Sequence, residues 1–361
     1  MEADAPTPFG VYVHIPFCRS KCDYCAFATW TDRHHLSTPY LDALRTEIGR
    51  AVEAGMPPAT SIFVGGGTPS MVDADQLMAV LATIPVTSDS DTPAEITIES
   101  NPDDITPAML DRYIAGGVNR ISLGVQSAVP HVLGSLGRTH TPANVESAVR
   151  AIRVAGFPTF NLDVIYGAAG ETLADWAETV RAVVELDPPH VSAYALTIEP
   201  GTPLAENADR HPDDDDQADK YELVDELLSG HVLDNYEISN WARPGHECRH
   251  NLVYWRQQDY RGFGCAAHSH QAGRRWWNVR TPDRYIALVG AGQPAEAAGE
   301  RLDDATRRFE RLELQLRMRD GVPIESLDGD DLPGLVERHR DRWTLTRSGR
   351  LMANQISLRL R

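Results

Sequence analysis

Three cysteines fall within one short stretch, Cys18-Arg19-Ser20-Lys21-Cys22-Asp23-Tyr24-Cys25. Thiolates bind soft metals, and three in a single loop is an informative number. Structural zinc is normally closed by four thiolate or imidazole ligands, often in two spaced pairs; here a fourth would have to come from His14 or His34. Iron–sulfur clusters are held by cysteine thiolates, normally four per cubane. Three would leave one iron open, which suits a cluster that binds a ligand. Plain buried thiols are the third reading of the same residues.

The elements that would position these thiols are legible as apolar, β-rich runs at 11–17, 61–64, 95–99, 120–125, 159–166 and 191–198. Between them lie stretches of helical spacing, such as Tyr40, Leu41, Leu44, Ile48 and Val52, or Val145, Ala148, Val149 and Ile152. Alternating strand and helix predicts a parallel sheet with right-handed crossovers, either doubly wound or a barrel. Both folds place ligands at the C-terminal ends of the strands. The unusual residues sit there: Cys18 after the first run, Gly65-Gly66-Gly67 after the second, Glu99 ending the third, Gln126 after the fourth and Asp163 late in the fifth. Spread over successive strands, they favour a barrel mouth over a single dinucleotide crevice.

The chain has 361 residues, with 34 Lys plus Arg against 52 Asp plus Glu, hence a formal charge of −18. That balance argues against a broad cationic surface for nucleic acid. From residue 300 onward the charges nearly cancel, 13 basic against 12 acidic, so the acidic surplus lies upstream. It includes the run Asp213 to Asp216, expected as a solvated loop. No apolar stretch is long enough to span a membrane and the start lacks a secretory signal. The expected compartment is therefore the cytoplasm, where thiols stay reduced, with only peripheral membrane contact left open. The strand–helix rhythm fades near residue 230, which predicts a boundary near 235 between domains 1–235 and 236–361. In the second, a charged helix is expected over 305–319 and a hairpin or wing around Trp343.

Cys18-x3-Cys22-x2-Cys25, with Tyr24 just before the last thiol, resembles the signature of the radical S-adenosylmethionine superfamily. The resemblance implies a [4Fe–4S] cluster on Cys18, Cys22 and Cys25, whose fourth iron is chelated by S-adenosylmethionine, and an electron donor that reduces it. It implies a partial (β/α)6 barrel with a smaller, mostly helical C-terminal domain. Gly66, Gly67 and Thr68 then match the element that binds the methionine moiety, where glycine lets a ligand approach the backbone closely. Glu99 would pair with the ligand ammonium, Gln126 would offer its amide to hydroxyls, Arg138 would face the ligand carboxylate or adenosine, and Asp163 would accept from a ribose hydroxyl. Tyr12, Tyr24 and the backbone near Ala195 also match cofactor contacts. Taken singly, each residue reads more simply as a cap, a salt bridge or a surface group.

Within the superfamily the chain resembles the coproporphyrinogen III oxidase-like group over nearly its whole length. The oxidases of that group decarboxylate a porphyrinogen, whereas HemW-type relatives bind haem and deliver it to an acceptor protein. Three features favour the haem chaperone. Cys25 is followed by Ala26 and Phe27, where the oxidases carry a further Cys; only ten residues precede the first strand; and His250-Asn251-Leu252-Val253-Tyr254-Trp255 resembles the HNxxYW motif of the chaperones. His250 is thus a candidate haem contact, with ordinary core packing as its alternative. Whether the radical machinery also makes the protein an enzyme, acting on a porphyrinogen, stays open. Cys248, His250, Cys265, His268 and His270 form a second constellation that matches no common zinc finger.

Overall fold

In the computed structural model, which describes residues 7–87 and 92–361, six strand–helix units follow one another as the sequence predicts. They run β1 (Phe9–Ile15), α1 (Ser37–Glu53), β2 (Ser61–Gly66), α2 (Ala74–Leu81), β3 (Glu95–Ser100), α3 (Pro107–Ala115), β4 (Arg120–Gln126), α4 (Pro130–Ser135), α5 (Pro142–Ala155), β5 (Thr159–Tyr166), α6 (Leu173–Glu185), β6 (His190–Ala195) and α7 (Asp214–Ser229). Helix starts are set by local chemistry. Thr141 with Asn144, and Thr172 with Asp175, form reciprocal capping boxes at α5 and α6. The acidic run is not a loop. Asp213 caps α7 and Asp214 to Asp216 form its first turn, where carboxylates meet the positive end of the helix.

Strands β1 to β6 are parallel and hydrogen-bonded in sequence order. Paired residues therefore share a face, and the two faces differ. Val11, Ile62, Ile98, Ile121, Leu162 and Val191 belong to the core shared with the helices. Tyr12, Phe63, Thr97 and Arg120 are in register on the other face, as are Ser122, Asn161 and His190. The inner face is thus largely polar, and its groups bond to one another across strands: Asn161 donates to Asp163 at 2.7 Å, and its oxygen lies 2.7 Å from Nδ1 of His190.

The rest of the chain comprises β7 (Asp234–Glu237), β8 (Asn240–Ala242), α8 (Arg249–Trp255), β9 (Asp259–Phe263), β10 (His268–Gln271), β11 (Arg274–Asn278), α9 (Pro282–Gly290), β12 (Glu296–Arg301), α10 (Asp304–Leu316), β13 (Val322–Pro323), β14 (Val336–His339), β15 (Arg342–Leu345), α11 (Arg347–Leu351) and α12 (Ala353–Ser357). The partial barrel with a smaller C-terminal unit is present, and the sheet continues across the position where a boundary was expected. β9 pairs with the free edge of β1 and carries β10 to β12, while β8 and β7 extend the edge of β6. A separate apolar core, including Leu312, Leu316, Val336, Trp343 and Ile356, appears only beyond α10's start. Its strands β14 and β15 form the expected hairpin. Asp225 on α7 ties this unit to the barrel, accepting from Arg347 at 2.6 Å and Arg350 at 3.0 Å. No helix among the described residues is long and apolar enough to cross a membrane.

Candidate cofactor site at the barrel mouth

The loop after β1 carries the three thiols and is pinned at several points. Cys18 N–H donates to Trp30 O and Trp30 N–H to Pro16 O, so the loop leaves and rejoins the strand end as a closed excursion. Arg19 pairs with Asp104 at 2.9 Å, and Arg210 with Asp23 at 2.5 Å. All three cysteines are free, partly exposed, and face one cavity of about 740 Å³. Burial raises the thiol pKa of Cys18 and of Cys25 above the ordinary value. Thr68 Oγ1 donates to Cys18 Sγ at 3.6 Å and Arg138 Nη1 to Cys22 Sγ at 3.8 Å, so thiolates there would be supported by a hydroxyl and a cation. An all-thiol set of three in one loop, opening onto a ligand-sized cavity, fits an iron–sulfur cluster with one open iron.

The fold brings Gly66, Gly67, Thr68, Glu99, Gln126, Arg138, Asp163, Ala195 and Tyr24 together around that same cavity. The glycines do more than leave room for a ligand. A Cβ on Gly66, whose φ is +109°, would overlap the His14 ring; one on Gly67 would lie 2.6 Å from Phe17 O; one on Gly65 would lie 2.8 Å from Glu99 Oε2. The triple glycine therefore lets β2 end against β1 and the Glu99 carboxylate. Glu99 accepts from Gly66 N–H at 3.1 Å, and burial together with nearby Asp163 pushes its pKa up to about 8. Burial raises Asp163 too, opposed by hydrogen bonds from Ser122 and Asn161. A cationic ligand group would relieve both carboxylates.

Gln126 sits at a bulge between β4 and β5 with φ of +66°, a conformation that turns its side chain to the cavity. Gly124 makes room for it, since a Cβ there would lie 2.8 Å from Gln126 Nε2. Arg138 is aimed by Asn101 Oδ1 at 2.7 Å and Gly124 O at 3.2 Å.

Two expected contacts are not at the cavity. The Tyr12 hydroxyl bonds to His14 Nδ1 at 3.0 Å, and His14 Nε2 lies 2.9 Å from Ala28 O; the tyrosine sits deeper on the inner face and braces the ring that Gly66 abuts. His250 is fully buried under the barrel. Its Nδ1 lies 3.0 Å from Ser61 Oγ and its Nε2 2.8 Å from Tyr254 Oη, its ring stacks on Phe63, and burial pushes its pKa down to about 3. With both nitrogens engaged it is a packing residue, so the proposed haem contact is not available in this arrangement. The second constellation disperses likewise. Cys248 donates to Glu95, Cys265 accepts from Tyr40, His268 stacks on Trp277, and His270 Nδ1 bonds to Gln258 O. No three of these five groups are placed to hold a single metal ion.

Tyr194, Asn101 and Ser122 also line the cavity and were not singled out from the sequence. Strand alternation was the available signal: Ser122 is two positions from Gly124, and Tyr194 pairs with Ile165 on the inner face.

Residues 12–183 match the radical SAM superfamily model. The haem chaperone HemW of Mycobacterium tuberculosis is 38% identical, covering 97% of this chain and 94% of its own. HemW of Escherichia coli is 33% identical with 97% of both chains covered, and that of Bacillus subtilis 34% with 96% and 97%. Among solved structures, coproporphyrinogen III oxidase (HemN) from Escherichia coli superposes with a TM-score of 0.81 over 98% of this chain and 89% of that one, at 24% identity, a likeness of fold.

Proposed function

The chain belongs to the radical SAM superfamily and, within it, to the HemW family, and on that footing we propose that it is a haem chaperone, binding haem and passing it to an acceptor protein. The observation that carries the reading is the near-full-length relationship to haem chaperones. Phe27, where the related oxidases carry a further cysteine, supports it.

Cys18, Cys22 and Cys25 would hold the [4Fe–4S] cluster that the family implies, with S-adenosylmethionine beside it; that pair supplies one-electron reductive chemistry at a sulfonium when an electron donor is present. The chain's own groups then bind and orient. The 66–68 backbone would receive the methionine moiety, Glu99 its ammonium, Arg138 its carboxylate or the adenosine, and Asp163 a ribose hydroxyl. Gln126 would offer its amide to hydroxyls, with Tyr24 and the Ala195 backbone as further contacts.

Anaerobic titration of the cluster-reconstituted protein with haem, followed at the Soret band, tests the reading: saturation near one haem per chain is expected. Absence of saturable binding, with loss of carboxylates from coproporphyrinogen III under reductant and S-adenosylmethionine, would replace it with a radical enzyme acting on a porphyrinogen.

A further inference from the structure

The haem-chaperone reading leaves the haem seat unassigned, and the buried His250 does not provide one. The inner part of the cavity is polar and suits the zwitterion and ribose already described. Its outer part differs. Phe27, two residues beyond Cys25, is 61% exposed, and Tyr194 at the end of β6 is 40% exposed, its ring facing the cavity while its hydroxyl turns inward toward Ser192 and Asp163. Among the described residues only three aromatic side chains are largely exposed, and these two share one cavity wall-to-wall, one from the cluster loop and one from the β6 end. Ile198, 41% exposed, lies between the lining residues Thr197 and Glu199. Large apolar side chains held in water at the mouth of a cavity mark a place where a partner covers them.

The charge beside them is equally specific. The sequence contains two lysines, Lys21 and Lys220. Lys220 is fully buried against Glu171, whereas Lys21 is exposed on the cavity rim with no ion pair among the described residues. In a chain of net charge −18, an unpaired ammonium lining the same cavity as an exposed phenyl ring is a local attractor for a flat apolar anion. Haem is such a molecule, a planar macrocycle with carboxylates on one edge.

We propose that haem seats at the mouth of the cluster cavity, its face on Phe27, its far side toward Tyr194 and Ile198, and a propionate on Lys21. The proposal rests on the haem-chaperone reading and places the cargo over the cofactor pocket, at the opposite end of the barrel from the HNxxYW helix.

Lys21 supplies a direct test, because it is the one accessible lysine side chain. Cluster-reconstituted protein with S-adenosylmethionine, with and without one equivalent of haem, is treated with an amine-acetylating reagent, and acetylation of Lys21 is measured by peptide mass spectrometry. Haem is expected to slow it at least fivefold while Lys220 stays unmodified throughout. In parallel, Phe27→Ala should weaken haem binding about tenfold, the usual scale for losing an aromatic anchor, with iron content and S-adenosylmethionine affinity unchanged. Ile198→Ser, outside the cluster loop, should weaken it in the same direction, and it carries the test if Phe27→Ala does not assemble a cluster. Saturable haem binding with Lys21 unprotected and both variants unaffected overturns the site alone. No saturable binding by the unaltered protein overturns the chaperone reading and the site together.

Discussion

The carboxylate of Glu95, at the start of β3 on the inner face of the barrel, accepts the backbone N–H of His250 at 3.0 Å. It also accepts from Arg249 N–H at 3.1 Å and from the Cys248 thiol at 3.5 Å. These are the first amides of α8, and Cys248 at the N-cap gives no side-chain cap of its own. A strand residue thus caps, from across the barrel, the helix that carries the HNxxYW motif.

Glu95→Ala should therefore loosen α8 before anything else. Two helix-end amides would lose a charged, buried acceptor, costing about 2–4 kcal/mol of stability. Hydrogen exchange should show faster exchange over 249–255, with the amides of β4 and β5 unchanged. Unaltered protection of α8 would mean that packing of His250 and Val253, not the cap, holds the helix.

Gly66→Ala should destabilise the fold as well as the site. The new methyl group would meet the His14 ring, which is held by Ala28 and Tyr12, and the backbone there has φ of +109°. Strain and overlap together should cost about 3 kcal/mol or more. Thermal unfolding of Gly66→Ala and of Gly66→Ala with His14→Ala separates the two contributions: relief of the overlap should recover part of the loss. An unchanged melting temperature in the single variant would show that the β1–β2 contact yields easily.

Cys22→Ala should abolish the cluster after anaerobic reconstitution, measured as lost iron and lost visible absorbance, while far-ultraviolet circular dichroism stays that of the parent. The loop is tied to the scaffold by Arg19, Asp23 and the Trp30 backbone, and the Cys22 thiol adds only its long contact with Arg138. A normal iron count in the variant would remove Cys22 from the ligand set.

Much of this was readable from residues alone, and the misses share a physical cause. The six strands and the residues at their C-terminal ends follow from short-range patterns, because a parallel sheet places every strand end on one rim. His250 and Tyr12 could not be placed that way. His250 lies on α8, and its contact with Ser61 at the start of β2 is made by a helix docking 189 residues further along the chain. Tyr12 is on the inner face as the strand alternation requires, but lies below the cavity, where its hydroxyl meets His14, and alternation reports the face and not the depth. The continuation of the sheet by β9 was hidden for a similar reason. Asp259–Phe263 is a mixed polar strand whose pairing with β1 is a long-range event that no local periodicity reports.

The pKa of Glu99 makes a sharper test of the cofactor pocket than loss of function would. In the folded protein it stands at about 8 against an ordinary 4.5, with burial the main cause and Asp163 the second. Between those values the folded state keeps a proton that the unfolded chain releases. This group's contribution to stability is therefore full below pH 4.5 and is lost as pH rises through 8. An ammonium placed against the carboxylate favours its charged form. Binding of S-adenosylmethionine to the cluster-loaded protein near pH 7 should then expel a large fraction of one proton, seen calorimetrically as a binding enthalpy that changes with the ionisation enthalpy of the buffer. The release should shrink above pH 8, where Glu99 is already charged, and Glu99→Gln should remove most of it. Proton release that persists in Glu99→Gln would transfer the role to Asp163, and its absence in the parent would place the ligand's ammonium elsewhere in the cavity.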